Sequence, residues 1–141
     1  MSVKYLRDQR HAGTVKKIAE LKFPFPNEEE PGLETILNLP TQSIAVGKTE
    51  DGRDLFPDIV VVKRPGQWLQ LMVEVETADS VNDESALNDW LPMSRVGDLL
   101  IYVPAGHVAE VKRLCRTHGI HPKGFRTWRF VPVWGLRVAE A

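Results

Sequence analysis

Residues 56–77, FPDIVVVKRPGQWLQLMVEVET, decide the fold that the sequence predicts. The first eight of these residues are rich in β-branched side chains, as strands are. From residue 69 onward, apolar and polar side chains alternate, which is typical of a half-buried strand. The segment RPGQ between the two runs contains the proline and glycine of a turn. The stretch therefore predicts an antiparallel hairpin.

The segments around this hairpin predict an α/β domain. Upstream, we expect a helix over 4–21, a polar loop over 27–33 or a short helix over 32–38, and a strand over 44–48 that makes the hairpin a three-stranded meander. Downstream, we expect a helix from 82 or 83 to about 95 with a kink at Pro92, a strand over 98–103, a helix over 106–118 and a strand over 124–130. The whole chain, residues 1–141, is then one domain with a mixed β-sheet flanked by helices on both faces.

Charge is sorted along the chain, although the formal net charge is only -1. Residues 1–27 hold six basic and two acidic side chains, residues 28–110 hold five basic and sixteen acidic ones, and residues 111–137 hold seven basic and no acidic ones. An acidic block between basic ends is compatible with a cation site flanked by phosphate contacts. We therefore expect affinity for nucleic acid that rises with divalent cation and falls with salt.

Several classes of protein are not favoured by the composition. The single cysteine, Cys115, excludes an internal disulfide, and no apolar run approaches the roughly 20 residues that span a bilayer. The first residues lack the apolar core of a signal peptide. We expect a cytoplasmic domain without a membrane partner.

Three carboxylates stand out in the hairpin. Glu74 and Glu76 are two residues apart in a strand, so they point to the same face about 6.6–6.8 Å apart. Asp58 lies on the preceding strand, where a three-residue loop would place it opposite Glu74 and a loop of two or four residues would turn it away. In the first register the acids could hold Mg²⁺ or Mn²⁺, which prefer oxygen ligands. The alternative is a solvated sheet face with exposed acids.

The arrangement Pro57-Asp58, fifteen further residues and Glu74-Val75-Glu76 resembles the signature of PD-(D/E)XK phosphodiesterases. That superfamily includes restriction endonucleases and archaeal-type Holliday junction resolvases, and its α-β-β-β-α-β core matches the element order predicted over 4–103. The resemblance implies a restriction-endonuclease-like fold and metal-dependent hydrolysis of nucleic-acid phosphodiester bonds. It assigns the metal to Asp58 and Glu74, with Glu76 as a third ligand or a water-positioning base.

The chain departs from the family pattern at one position. Family members usually carry lysine where this chain has Glu76, although some restriction enzymes have glutamate there. Lys63 and Arg95 are candidates for a basic side chain that takes over the role of this lysine from another position. Glu20 is the candidate for the acid that the family often supplies from its first helix, and an ion pair of Glu20 with Lys16 is the alternative.

Basic side chains in the last part of the chain are candidates for nucleic-acid contacts. Lys112, Arg113 and Arg116 share one surface of the predicted helix over 106–118, and Arg126 follows in the last predicted strand. Arg126 and Arg129 point to opposite faces of that strand, so one of them faces the body of the protein. The alternative is an ordinary solvated helix face.

The sequence thus predicts a nuclease-like domain, or a degenerate relative of one, with DNA favoured over RNA. Because 141 residues leave little room for a separate sequence-reading domain, we expect structure-selective or non-specific cleavage, or a homodimer that spans both strands. One rival is a non-catalytic interaction or dimerisation module of the same fold, with the apolar carboxyl-terminal tail as its interface. The other is an unrelated α/β module that binds a small ligand.

Overall fold

The computed structural model describes residues 3–141. In chain order, its elements are α1 (Val3–Lys22), β1 (Leu33–Leu37), β2 (Gly47–Lys48), β3 (Asp54–Leu55), β4 (Ile59–Lys63), β5 (Trp68–Val75), a 3₁₀ turn (Ala78–Ser80), α2 (Asp83–Ser85), a π-helical turn (Ala86–Trp90), α3 (Leu91–Val96), β6 (Leu99–Pro104), α4 (Val108–His118), β7 (Gly124–Val131) and β8 (Gly135–Glu140). Among the described residues, no helix is both long enough and apolar enough to cross a bilayer.

Six strands form one mixed sheet in the order β1-β4-β5-β6-β7-β8, and β2 and β3 form a separate ribbon. Strands β5, β6 and β7 are parallel, whereas β4 is antiparallel to both of its neighbours and β8 is antiparallel to β7. The helical segment α2–α3 connects β5 to β6, and α4 connects β6 to β7. The carboxyl ends of the three parallel strands therefore meet at one edge of the sheet.

Helices cover both faces of this sheet, as the sequence predicts. On one face, α1 buries an apolar stripe that includes Val15 and Ile18 against a sheet surface that includes Val73. On the other face, the helices after β5 and β6 pack Trp90 and Leu114 onto a surface that includes Met72 and Ile101. Burial of two apolar faces of a sheet by amphipathic helices is the packing that stabilises α/β domains.

The first strand of the meander differs from the prediction. Strand β1 occupies Leu33–Leu37, where the sequence favours a loop or a short helix, and pairs with β4. The segment 44–48 contributes only β2, which pairs with β3 outside the main sheet. The reason is a contact between distant segments. The backbone of β4 forms hydrogen bonds with the segment that contains the β-branched Thr35 and Ile36, and this pairing overrides the weak local preference for a loop or a helix.

Two further elements refine the prediction. The Asn82 side chain accepts a hydrogen bond from the backbone N–H of Ser85, so the predicted helix cap is confirmed. The interruption after it is the π-helical turn, whereas Pro92 lies in the first turn of α3, where its missing N–H costs nothing. At the carboxyl end, the expected apolar tail turns at Trp134 and continues as β8, in which Leu136 and Val138 face the core that α1 covers.

Candidate active site at the end of β5

A β-bulge decides the register of the β4–β5 hairpin. Lys63 pairs with Trp68, so the loop has four residues, and by itself this loop would turn Asp58 away from Glu74. The pairing shifts by one residue between Val61 and Val62 of β4, which makes Gln70 of β5 the extra residue. Beyond the bulge, the pairs follow the register in which Asp58 lies opposite Glu74.

At the open end of the β4–β5 ladder, the carboxylates of Asp58 and Glu74 each accept a hydrogen bond from the backbone of the opposite segment. The backbone N–H of Asp58 donates to Glu74 Oε1 at 2.9 Å, and the N–H of Val75 donates to Asp58 Oδ2 at 2.8 Å. The second oxygen of each carboxylate accepts no hydrogen bond from the described residues. These oxygens are not sealed off, because no fully buried side-chain oxygen of the described residues lacks a partner. One oxygen of each acid is thus left open.

Asp58 and Glu74 both line a cleft of about 390 Å³. One wall comes from α1, and the other walls come from the start of β4, the end of β5 and the helical segment that follows. The lining includes three basic residues, Lys4, Arg7 and His11, and six acidic ones, Asp8, Asp58, Glu74, Glu76, Asp79 and Asp89. The three carboxylates that the sequence singled out therefore share one cleft, with α1 basic side chains across from them.

The half-buried His11 is the deepest of the basic groups in the cleft. Its Nε2 lies 2.7 Å from the carbonyl oxygen of Val75 and 3.4 Å from Asp58 Oδ2. Burial alone lowers the pKa of His11, but the hydrogen bond and charge of Asp58, the Val75 carbonyl and the charge of Glu76 outweigh it and raise the pKa to about 9. His11 is therefore a cation at neutral pH and donates to the Val75 carbonyl.

Burial raises the pKa of three acids in the cleft, Glu74, Asp89 and Glu76. The pKa of Glu74 lies well above its usual value because Glu74 is buried and faces the negative charges of Asp58, Glu76 and Asp89. The pKa of Asp89 is also raised, by burial first, although the charge of Arg53 opposes that shift. Acidic side chains therefore outnumber basic ones around Glu74, which is an electrostatic setting that a cation would stabilise.

Glu76 differs from Glu74 because both of its carboxylate oxygens accept hydrogen bonds. The indole N–H of Trp90 donates to Oε1 at 2.6 Å, and the Ser80 hydroxyl donates to Oε2. Burial still raises the pKa of Glu76 to about 7 against these two donors. Its backbone carbonyl accepts from the indole N–H of Trp128 at 2.9 Å. As a third ligand or a base, Glu76 would have to use the lone pairs that these two donors leave on its oxygens.

The three auxiliary residues that the sequence suggested do not line the cleft. Glu20 lies 4.0 Å from Lys17, one position along the helix from the expected Lys16. Lys63 lies at the far end of β4, and Arg95 lies 3.9 Å from Glu50. The structure brings in Lys4, Arg7 and His11 instead. Their spacing places them on one helix face, which is the signal that the sequence offered for them.

The four basic residues predicted to contact nucleic acid do not form one surface. Lys112 Nζ sits 5.5 Å from the centre of the Phe125 ring, and Arg113 lies 3.6 Å from Glu110. These residues and the exposed Arg116 lie on α4. Arg126 pairs across the sheet with Tyr102, on the face that α1 covers, and lies 3.6 Å from Glu140. The sheet therefore separates Arg126 from the basic side chains of α4.

The residues of the cleft fit a hydrated divalent cation better than a fully protein-bound one. Within residues 3–141, no three or more His, Cys, Asp or Glu side chains converge as a preformed metal-binding group. Mg²⁺ commonly uses only one or two carboxylates and keeps several waters, which Asp58 and Glu74 could satisfy with their open oxygens.

In comparisons with known proteins, no protein-family model, curated protein or solved structure matches the chain.

Proposed function

We propose that the cleft binds Mg²⁺ or Mn²⁺ through Asp58 and Glu74 and hydrolyses phosphodiester bonds of nucleic acid. The observation that carries this proposal is the reciprocal arrangement of the two acids. Each accepts a backbone N–H with one oxygen and keeps the other, which is not fully buried, without a hydrogen bond from the described residues, and both acids line the same cleft. A divalent cation would relieve the repulsion that raises the pKa of Glu74.

The order of the elements supports a restriction-endonuclease-like fold. The chain runs through α1, β1, β4, β5, the helical segment from α2 to α3, and β6, which is the α-β-β-β-α-β order of the PD-(D/E)XK core, with the β2–β3 ribbon inserted. Asp58 and Glu74 lie opposite each other at the open end of the hairpin that the second and third strands of that order form, away from its turn. This placement is what the resemblance in the sequence implies for metal-binding acids.

The residues of the chain divide the work of binding and orientation. A bound divalent cation would supply charge stabilisation and an activated water. Lys4 and Arg7 stand on the α1 wall and can hold the phosphate of a substrate in the cleft, for which Arg7 would exchange its ion pair with Asp79 at 3.3 Å. His11 keeps the Val75 carbonyl and Asp58 in place through its contacts with both. Glu76 fixes the end of β5 by binding the Trp90 indole and the Ser80 hydroxyl.

A non-catalytic domain of the same fold is the second candidate. The observation that favours it is the state of Glu76, which stands where the family usually has lysine and has both oxygens occupied. A chain that lost the water-positioning group could keep the cation site as a structural or binding feature. The two candidates make the same prediction for cation binding and opposite predictions for cleavage.

Thermal unfolding with and without divalent cation tests the site. The wild-type chain should melt at a higher temperature in millimolar MnCl₂ or MgCl₂ than in EDTA. At a tenfold excess of cation over Kd, the free energy of unfolding should rise by about 1.4 kcal/mol. Asp58→Asn and Glu74→Gln should abolish this shift. Glu50→Gln, which changes an exposed acid outside the cleft, should keep it and serves as the matched control.

Cleavage assays then separate the two candidates. Single-stranded, duplex and branched DNA and a matched RNA should be cut only with divalent cation present, and Asp58→Asn should abolish the cutting. A thermal shift without cleavage of any substrate would favour the non-catalytic domain. Absence of both the shift and cleavage would contradict the proposed cation site itself.

A further inference from the structure

The hairpin of β7 and β8 carries two arginines directly opposite each other. Arg129 and Arg137 are paired across the two strands, so their side chains leave the same face of the sheet, and both residues are exposed. Like charges directly opposite in an antiparallel pair destabilise a sheet. The fold therefore maintains a concentration of positive charge that an anion would stabilise.

Among the described residues, no acidic side chain lines the depression beside these arginines or pairs with them. They border a depression of about 460 Å³ whose other lining residues are Thr127, Val131, Trp134, Val138 and Ala139. Arg137 donates to the backbone carbonyls of Trp134 and Leu136 at 2.9 and 3.0 Å. The Arg129 side chain has no hydrogen-bonding or ion-pairing partner within residues 3–141. This hairpin face, defined by Arg129, Trp134 and Arg137, is thus basic without compensation.

An aromatic side chain completes the hairpin face. Trp134 lies at the turn between the two strands, is 71% exposed and lines the same depression as both arginines. An exposed indole in a depression bordered by two cations offers a stacking surface for a base and contacts for its neighbouring phosphates. Arg126 and Trp128 do not belong to this surface, because they lie on the opposite face, which packs toward α1.

We propose that the hairpin face binds single-stranded nucleic acid, with a base stacked on Trp134 and phosphates held by Arg129 and Arg137. Stacking on an indole requires an unpaired base, which duplex nucleic acid does not present. The surface uses none of the residues of the carboxylate cleft, so the proposal goes beyond the cation site and does not depend on it. Because β5 and β7 are parallel, the hairpin turn and the cleft lie at the same edge of the sheet.

Fluorescence anisotropy of a labelled oligothymidylate of about 12 nucleotides tests this binding directly. Measured in EDTA, the titration is independent of the cation site, so its outcome is separate from that of the proposed nuclease activity. The double variant Arg129→Gln/Arg137→Gln should bind at least about tenfold more weakly and should lower the salt slope by about 1.4, the value for two phosphate contacts on a single strand. Trp134→Ala should weaken binding by roughly tenfold.

The chain supplies matched controls for both kinds of residue. Trp68 is 70% exposed but lies at the β4–β5 turn, and Arg95 is exposed beside Glu50, so Trp68→Ala and Arg95→Gln should bind like the wild type. Far-ultraviolet circular dichroism verifies that each variant is folded.

Three results would overturn the proposal: no binding by the wild type at low salt, equal losses in the controls, or tighter binding of a duplex of the same length. A fourth is that Trp134→Ala changes only the oligomeric state, measured by light scattering. That result would make the hairpin face a contact between copies of the chain.

Discussion

The carboxylate cleft and the hairpin face both bring like charges together across neighbouring antiparallel segments. The two acids of the cleft are buried, whereas the two arginines of the hairpin face are exposed. Asp58 lies opposite Glu74 at the end of the β4–β5 ladder, and Arg129 is paired with Arg137 in the β7–β8 ladder. In the cleft, burial and repulsion raise the pKa of Glu74, so the charged form itself is disfavoured. On the hairpin, water and salt screen the repulsion. The same local pattern therefore has a larger electrostatic effect where the protein excludes water.

Glu76 shows the third case, a carboxylate that is buried and fully hydrogen-bonded. Its two donors, Trp90 and Ser80, offset part of the effect of burial, whereas Glu74 accepts only the Asp58 N–H among the described donors. By this difference in hydrogen bonding, Glu76 is expected to stabilise the fold, whereas Glu74 is expected to be available to a ligand. The following predictions test it, beginning with the largest expected effect.

Replacement of Glu76 by alanine should destabilise the protein by about 2–3 kcal/mol, because the buried Trp90 N–H and the Ser80 hydroxyl lose their acceptor. Glu76→Gln keeps an acceptor for the indole and should lose less. The measurement is urea unfolding at neutral pH in EDTA. The control Glu110→Ala, an exposed acid on α4, should change stability by no more than about 0.5 kcal/mol. Equal effects in the two positions would refute the structural role of Glu76.

Glu74→Gln should have the opposite sign and increase stability by about 1 kcal/mol in EDTA. The amide oxygen can still accept the Asp58 N–H, while the repulsion from Asp58, Glu76 and Asp89 disappears. Paired thermal and urea unfolding curves measure the gain. A loss of stability would show that the Glu74 charge is needed by the fold, and it would weaken the assignment of Glu74 to a ligand site.

The advantage of Glu74→Gln should depend on pH in one direction. A carboxyl group whose folded pKa is raised stabilises the protein below its unfolded pKa, and this stability is lost as pH rises through the folded pKa. Wild-type stability should therefore fall as pH rises above about 4.5, while the variant falls less. Unfolding free energies across a pH series test this, and a gap that is constant with pH would contradict the raised pKa.

The smallest effect is expected on the hairpin. Arg129→Thr should stabilise the protein by about 0.3 kcal/mol at low salt, because it removes the repulsion from Arg137, and the gain should shrink in high salt. Arg126→Thr is the matched control on the opposite face of the same strand. It removes the attraction to Glu140 and should destabilise slightly. Melting curves at two salt concentrations distinguish the two signs, and identical signs would contradict the comparison.

Much of the fold follows from periodic patterns in the sequence. The apolar stripe of α1 and the β6-α4-β7 crossover are local or nearly local features, and the structure contains both. The alternation of β5 holds for Leu71, Val73 and Val75, whereas Leu69, beyond the bulge, packs against the core on the other face. Strand β8 also had a weak signal, since Leu136 and Val138 lie two residues apart on either side of the polar Arg137. Strand β1 had little, because its conformation depends on pairing with β4, which lies more than twenty residues away in the chain.

The candidate site divides in the same way between local and distant causes. The period of a strand determined by itself that Glu74 and Glu76 share a face. Only the tertiary structure decided that Asp58 joins them, because the bulge at Gln70 reverses the effect of the four-residue loop. It also decided that His11 binds the Val75 carbonyl, 64 residues away, and that the Trp90 indole donates a hydrogen bond to Glu76. Side-chain direction repeats over two residues and is readable in sequence, whereas register and burial depend on packing between distant segments.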